Sequence, residues 1–139
     1  EQALNNIKKE IERYQIVAGQ QAVNGSGISI TVSGELESLW FTDMINELFS
    51  AGAEVISVNG MRIADSRNGF DTMPNGQILL GGEILSPPFQ FQAIGDKKTL
   101  INSISQVSGI ISRINTYKPD YKVEIIEEND LQIKPMTLP

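Results

Sequence analysis

The spacing of hydrophobic residues changes period several times along the chain. Over residues 1–17, Leu4, Ile7, Ile11 and Tyr14 recur at intervals of three, four and three, with Lys8, Lys9, Glu10, Glu12 and Arg13 on the remaining positions. That spacing predicts an amphipathic helix over residues 1–18. It is also the a/d seam of a coiled coil, although two heptads are too few to hold one alone. Two readings follow: a helix packed on its own domain, or the end of a longer coiled-coil stalk.

Gly19 ends the helix, and Asn24-Gly25-Ser26-Gly27 predicts a flexible turn. The period then falls to two, Ile28, Ile30 and Val32 alternating with Ser29 and Thr31, as in a half-buried strand. A helix is expected from near Thr42, with Ile45, Leu48 and Phe49 inward and a stop at Gly52. Trp40 and Phe41 just before it read as core or hydrophobic-staple residues. A β-branched run at 55–58 and the Asn59-Gly60 pair predict a strand and a tight type I′ hairpin returning through Arg62 and Ile63. Residues 64–76 carry turn chemistry without a period and form the longest irregular connection.

A second hairpin is expected over 77–85 about Gly81-Gly82, and Ser86-Pro87-Pro88 leads into an amphipathic strand over 89–94. Asp96 caps a long helix whose stripe is Leu100, Ile101, Ile104, Val107, Ile111 and Ile114, with Gly109 marking a kink or break. A strand over 121–126, a turn at Glu128-Asn129-Asp130 and a short strand over 131–134 complete the pattern. The expected fold is α+β, a ferredoxin-like or related split β-α-β sandwich. Two helices cover one face of a mixed sheet, and the N-terminal helix precedes a single domain over 19–135.

Composition narrows the chemistry. The chain has 139 residues, 40% apolar and 20% charged, with no Cys and no His. Thiolate nucleophiles, disulfides, Cys/His zinc sites and imidazole bases are thereby excluded, leaving carboxylates, Lys, Tyr, Ser and Thr. A net charge of −6 without a basic cluster disfavours nucleic acid and anionic lipid headgroups. No apolar run is long enough to span a bilayer. The chain opens on Glu1, so the expectation is a piece of a longer protein whose leader or membrane anchor lies upstream.

Gly25 and Gly27 do not make a phosphate loop, since no Lys-Ser/Thr follows and a strand rather than a helix comes next. No metal-ligating set and no cofactor motif is present. The one dense charge group near a hairpin tip is Asp65, Arg67 and Asp71 with Arg62 upstream. With Asn59 these residues would line a polar ligand site, Arg62 gripping a carboxylate or phosphate as a bidentate fork. The bland alternative is a solvated loop with weak ion pairs. Asp65 and Asp71 as paired hydrolase carboxylates is a third reading, with nothing to set their separation.

Small motifs recur in one order along residues 14–134: Val17-Ala18-Gly19, Gly25-Ser26-Gly27-Ile28, Asn46-Glu47-Leu48, Ala51-Gly52-Ala53-Glu54, Ile56-Ser57-Val58-Asn59-Gly60, Arg62-Ile63, Pro87-Pro88 and Ala93-Ile94-Gly95-Asp96. In these the chain resembles the bacterial YlxW/YlxX-like family, family eight-eight-one of the domains of unknown function, often encoded among cell-division and envelope genes. The resemblance implies an N-terminal membrane segment, a coiled coil and then this domain outside the cytoplasmic membrane. It supplies no catalytic residue, and the segment after Arg62 departs from it. The expected function is a non-enzymatic interaction domain that self-associates through the coil or binds envelope or division proteins. A small-ligand domain around Arg62 is the alternative.

Overall fold

The computed structural model describes residues 2–17, 21–63 and 69–135, with side chains of the first helix described over 3–11. In order, its elements are α1 (Gln2–Val17), β1 (Val23–Val32), α2 (Ser38–Ser50), β2 (Val55–Val58), β3 (Met61–Ile63), β4 (Phe70–Thr72), β5 (Ile78–Leu80), β6 (Glu83–Leu85), β7 (Phe89–Ile94), α3 (Lys97–Ile104), α4 (Ile110–Tyr117) and β8 (Val123–Ile133). The α+β class is as expected. Two strand-helix-strand units, β1-α2-β2 and β7-α3-α4-β8, interleave in a sheet of order β3-β2-β7-β1-β8. Each unit thus has one strand of the other between its own two, which is the split β-α-β arrangement. Every neighbouring pair is antiparallel, where mixed pairing was expected.

The strand pattern sorts the two faces. Ile28, Ile30, Val32, Ile56, Val58, Phe89, Phe91 and Ala93 line the face under the helices and pack with Phe41, Met44, Ile45 and Leu48 of α2 and with Leu100, Ile104, Ile110 and Ile114. The opposite face carries a row set by the register, Arg62, Ser57, Gln92 and Ser29 on four successive strands. Beside it sits a second cluster of Val23, Val55, Ile94, Leu131 and Ile133.

The Asn59-Gly60 turn has positive φ at both residues, 47° and 85°, as a type I′ hairpin needs. Gly81 and Gly82 likewise join β5 to β6. Asp96 caps α3 by accepting the Thr99 N–H at 3.0 Å.

Several elements differ from their local signals, each through a tertiary contact. The Asn24–Gly27 stretch is strand rather than turn, and a Cβ on Gly27 would lie 1.8 Å from the Ala93 carbonyl oxygen, so the glycine there serves close strand approach. Glu128-Asn129-Asp130 is no turn. β8 runs on through it, and the register slips by one between Gly25/Leu131 and Gly27/Glu128, a β-bulge. α2 begins at Ser38, four residues before Thr42, because the Ser38 N–H is satisfied by Thr72 Oγ1 at 2.8 Å from β4. The long helix is broken between Ile104 and Ile110, which leaves Val107 91% exposed instead of in the stripe. Within the expected irregular connection, β4 pairs with β5 in a second sheet of order β4-β5-β6. Gly19 lies outside the described residues.

Candidate interaction surface

Asn59, Arg62 and Asp71 are placed apart, and Asp65 and Arg67 lie outside the described residues. Asn59 is engaged by the backbone: its Oδ1 accepts the Gln90 N–H at 2.7 Å and its Nδ2 donates to the Ser86 carbonyl at 3.4 Å. The β2-β3 turn is thereby pinned to the chain entering β7. Arg62 is only 7% exposed, on the sheet face away from the helices. Its guanidinium donates to the Gln21 carbonyl, and burial lowers its pKa, though an arginine remains cationic under such a shift. Asp71 is exposed on β4, opposite Leu79 in the other sheet. Among the described residues these side chains do not converge on one pocket.

The clefts lie elsewhere. One of about 220 Å³ opens between Glu35, Glu37, the β4-β5 turn at Met73 and Pro74, Lys118 and Tyr121. Another of about 280 Å³ lies between α2 and the α3-α4 break, beside Asn46, Glu47, Ser103 and Gln106. Both are shallow and open. Among the described residues no group of three carboxylates is placed to hold a metal ion.

The best-organised polar cluster is one that sequence reasoning missed. Arg113 of α4 donates to Asp43 at 3.0 Å and to Glu47 at 2.6 Å, both on α2. The Asp43 hydrogen bond raises the Arg113 pKa most, burial opposes it, and Glu47 adds to the rise. Glu47 also accepts the Ile110 N–H at 3.0 Å, capping α4 from a neighbouring helix. The signal available was two acids four apart on the polar flank of α2, which a cation from a packed helix can bridge. The cluster clamps helix to helix.

What the described surface offers instead is apolar area on α1. Leu4, Ile7 and Ile11 are 55%, 54% and 51% exposed, one above another on one helix face. Ile11 is followed at heptad spacing by Tyr14, whose side chain lies outside the described residues. A stripe of large aliphatic side chains uncovered by its own domain is what a partner helix covers.

Comparison with known proteins adds lineage. Residues 10–139 match the family model described as bacterial protein of unknown function, DUF881. The chain is 26% identical over 145 residues to the UPF0749 protein YlxW of Bacillus subtilis, covering 94% of this chain and 61% of that protein. It is 32% identical over 114 residues to the UPF0749 protein Rv1825 of Mycobacterium tuberculosis, covering 77% of this chain and 38% of that protein. The chain therefore spans less than two thirds of these curated relatives. The crystal structure of an uncharacterized conserved protein from Mycobacterium tuberculosis superposes with a TM-score of 0.84 at 23% identity, over 94% of this chain and 93% of that one.

Proposed function

From the premise that this chain belongs to the DUF881 family of bacterial proteins of unknown function, we propose that it is a non-enzymatic interaction domain which self-associates through α1. The observation that carries the reading is the exposed stripe of Leu4, Ile7 and Ile11. Each such side chain, half in water, forfeits about 1 kcal/mol of burial, and a second copy of the same helix recovers it with a matching a/d seam. The absence of His and Cys from the sequence agrees with a role that needs no imidazole base or thiolate.

In this reading α1 is the end of a coiled-coil stalk and residues 19–135 are the head that meets envelope or division proteins. An anchor upstream of the coil holds it at the bacterial membrane, with the domain outside the cytoplasm. That placement is carried over from the family resemblance, whose members are often encoded among envelope and division genes.

Light scattering on the full-length protein tests the core of the proposal. The expected result is a dimer or higher oligomer that Leu4→Ser, Ile7→Ser and Ile11→Ser together return to a monomer. The head should keep its thermal midpoint, because surface substitutions typically shift stability by only about 0.5 kcal/mol. A protein that is monomeric before substitution overturns the reading.

A further inference from the structure

A second surface differs from α1 in kind. The central sheet ends on β8, an eleven-residue strand whose pairing partner among the described residues is β1. The Ser33 N–H donates to the Lys122 carbonyl at 3.0 Å, which sets the phase of the ladder. Alternation from that pair turns the main chain of Glu124, Ile126 and Glu128 toward β1 and the N–H and C=O groups of Val123, Ile125 and Glu127 outward. Such outward main-chain groups are what an added strand hydrogen-bonds to.

The side chains beside that edge are of two kinds. Ile126 is 48% exposed, and Val123 and Ile125 are half-buried. Every charged residue of the strand is acidic: Glu124, Glu127, Glu128 and Asp130. The described cations flank the outward-facing stretch rather than lie within it: Lys122 precedes the strand, Lys134 follows it, and Lys97 donates from its Nζ to Asn129 at 2.6 Å at the bulge. Charged residues on an edge protect it from indiscriminate pairing, but a row of one sign also selects. Two such edges meeting would add these four carboxylates from each copy, on chains that each carry −6.

We propose that the β8 edge accepts an extended basic segment of a partner protein, with Lys or Arg alternating with β-branched apolar residues, as an added antiparallel or parallel strand. The main-chain groups of Val123, Ile125 and Glu127 supply the ladder, Ile126 supplies apolar contact, and the carboxylates set the sign of the partner. The proposal rests on the reading of the chain as an interaction domain but uses a surface independent of α1. It is therefore tested on the chain carrying Leu4→Ser, Ile7→Ser and Ile11→Ser, so that the outcome does not depend on self-association.

The probe is a nine-residue peptide alternating Lys with Val, titrated against this protein with amide hydrogen exchange followed by NMR. Expected are slowed exchange at Val123, Ile125 and Glu127, and about tenfold weaker binding to E124K/E127K, the size two or three rim charge pairs supply. A peptide with Glu in place of Lys should bind at least as weakly. Unchanged exchange at the three amides overturns the proposal. Equal binding of a peptide in which Pro replaces each Val also overturns it, since charge adhesion without a ladder would then explain the data. Protection of the same amides that rises with protein concentration and no peptide overturns the choice of partner in favour of a second copy.

Discussion

Asp96 starts α3 with a side chain that accepts two hydrogen bonds from Thr99, from its Oγ1 at 2.6 Å and its N–H at 3.0 Å. These bonds, the hydroxyl's first, hold its carboxyl below the ordinary carboxylate value, with Lys98 and Lys97 adding smaller pulls in the same direction. A carboxyl whose folded pKa is depressed contributes stability above its unfolded pKa and loses it as pH falls through the folded one. The NMR titration midpoint of Asp96 is therefore expected below the usual Asp range, and Thr99→Val should move it up. An unmoved midpoint would reassign the shift to the neighbouring lysines. Asp96 as a cap was readable in the sequence because its partner is three residues away. The Glu47 cap on α4 and the Thr72 cap on α2 were not, because their partners lie 63 and 34 residues off.

Strand glycines set the outcome at the element scale. Gly27 sits where β1 crosses β7 so closely that Ala in its place would press a methyl group to 1.8 Å from the Ala93 carbonyl oxygen. Gly27→Ala is expected to cost about 3 kcal/mol or more, read as a lower denaturant midpoint with a loss of exchange protection across β1 and β7. A variant within 0.5 kcal/mol of the parent, the scatter of surface substitutions, would mean that the strands separate freely. Local residue chemistry gives Gly25 and Gly27 the signature of a turn, since glycine serves turns and close approaches alike. For the same reason Glu128-Asn129-Asp130 reads as a turn and stands in the structure as the bulge that keeps β8 continuous against β1.

Across the whole molecule, one aromatic ring ties the layers. Phe41 is fully buried and meets Phe89 at 4.8 Å edge-on, Phe70 at 5.2 Å stacked and Phe91 at 5.3 Å. It thus joins α2 to both sheets. Phe41→Ala is expected to cost about 3–5 kcal/mol. Because Phe70, Ile78, Leu80 and Leu85 belong to the same core, the small sheet should lose exchange protection together with the large one. A small sheet that kept its protection would show that it holds itself, contrary to the shared core. Trp40 and Phe41 read together as core or staple residues in the sequence, and the structure gives them different depths: Phe41 is central, while Trp40 is partly buried against the same core and tilts against Tyr117, 6.2 Å between centroids.

Periodicity and punctuation determined by themselves the α+β class, α1, the 55–58 and 89–94 strands, both glycine hairpins and the break in the last helix. These depend on neighbours within a few residues, where sterics and hydrogen bonding act without the rest of the fold. The lineage was readable too, from the order of short motifs. The all-antiparallel order of the sheet, the second sheet and the Arg113 clamp were decided by tertiary structure alone. So was the burial of Arg62, whose charge and position near a turn suggested an open fork. Only the register laid it on the face of an edge strand away from the helices, beside the Gln21 carbonyl that accepts from its guanidinium. Which side of a sheet a residue faces is fixed by a period of two, so the chain knows the alternation, but what stands over each face is set by segments far away in sequence.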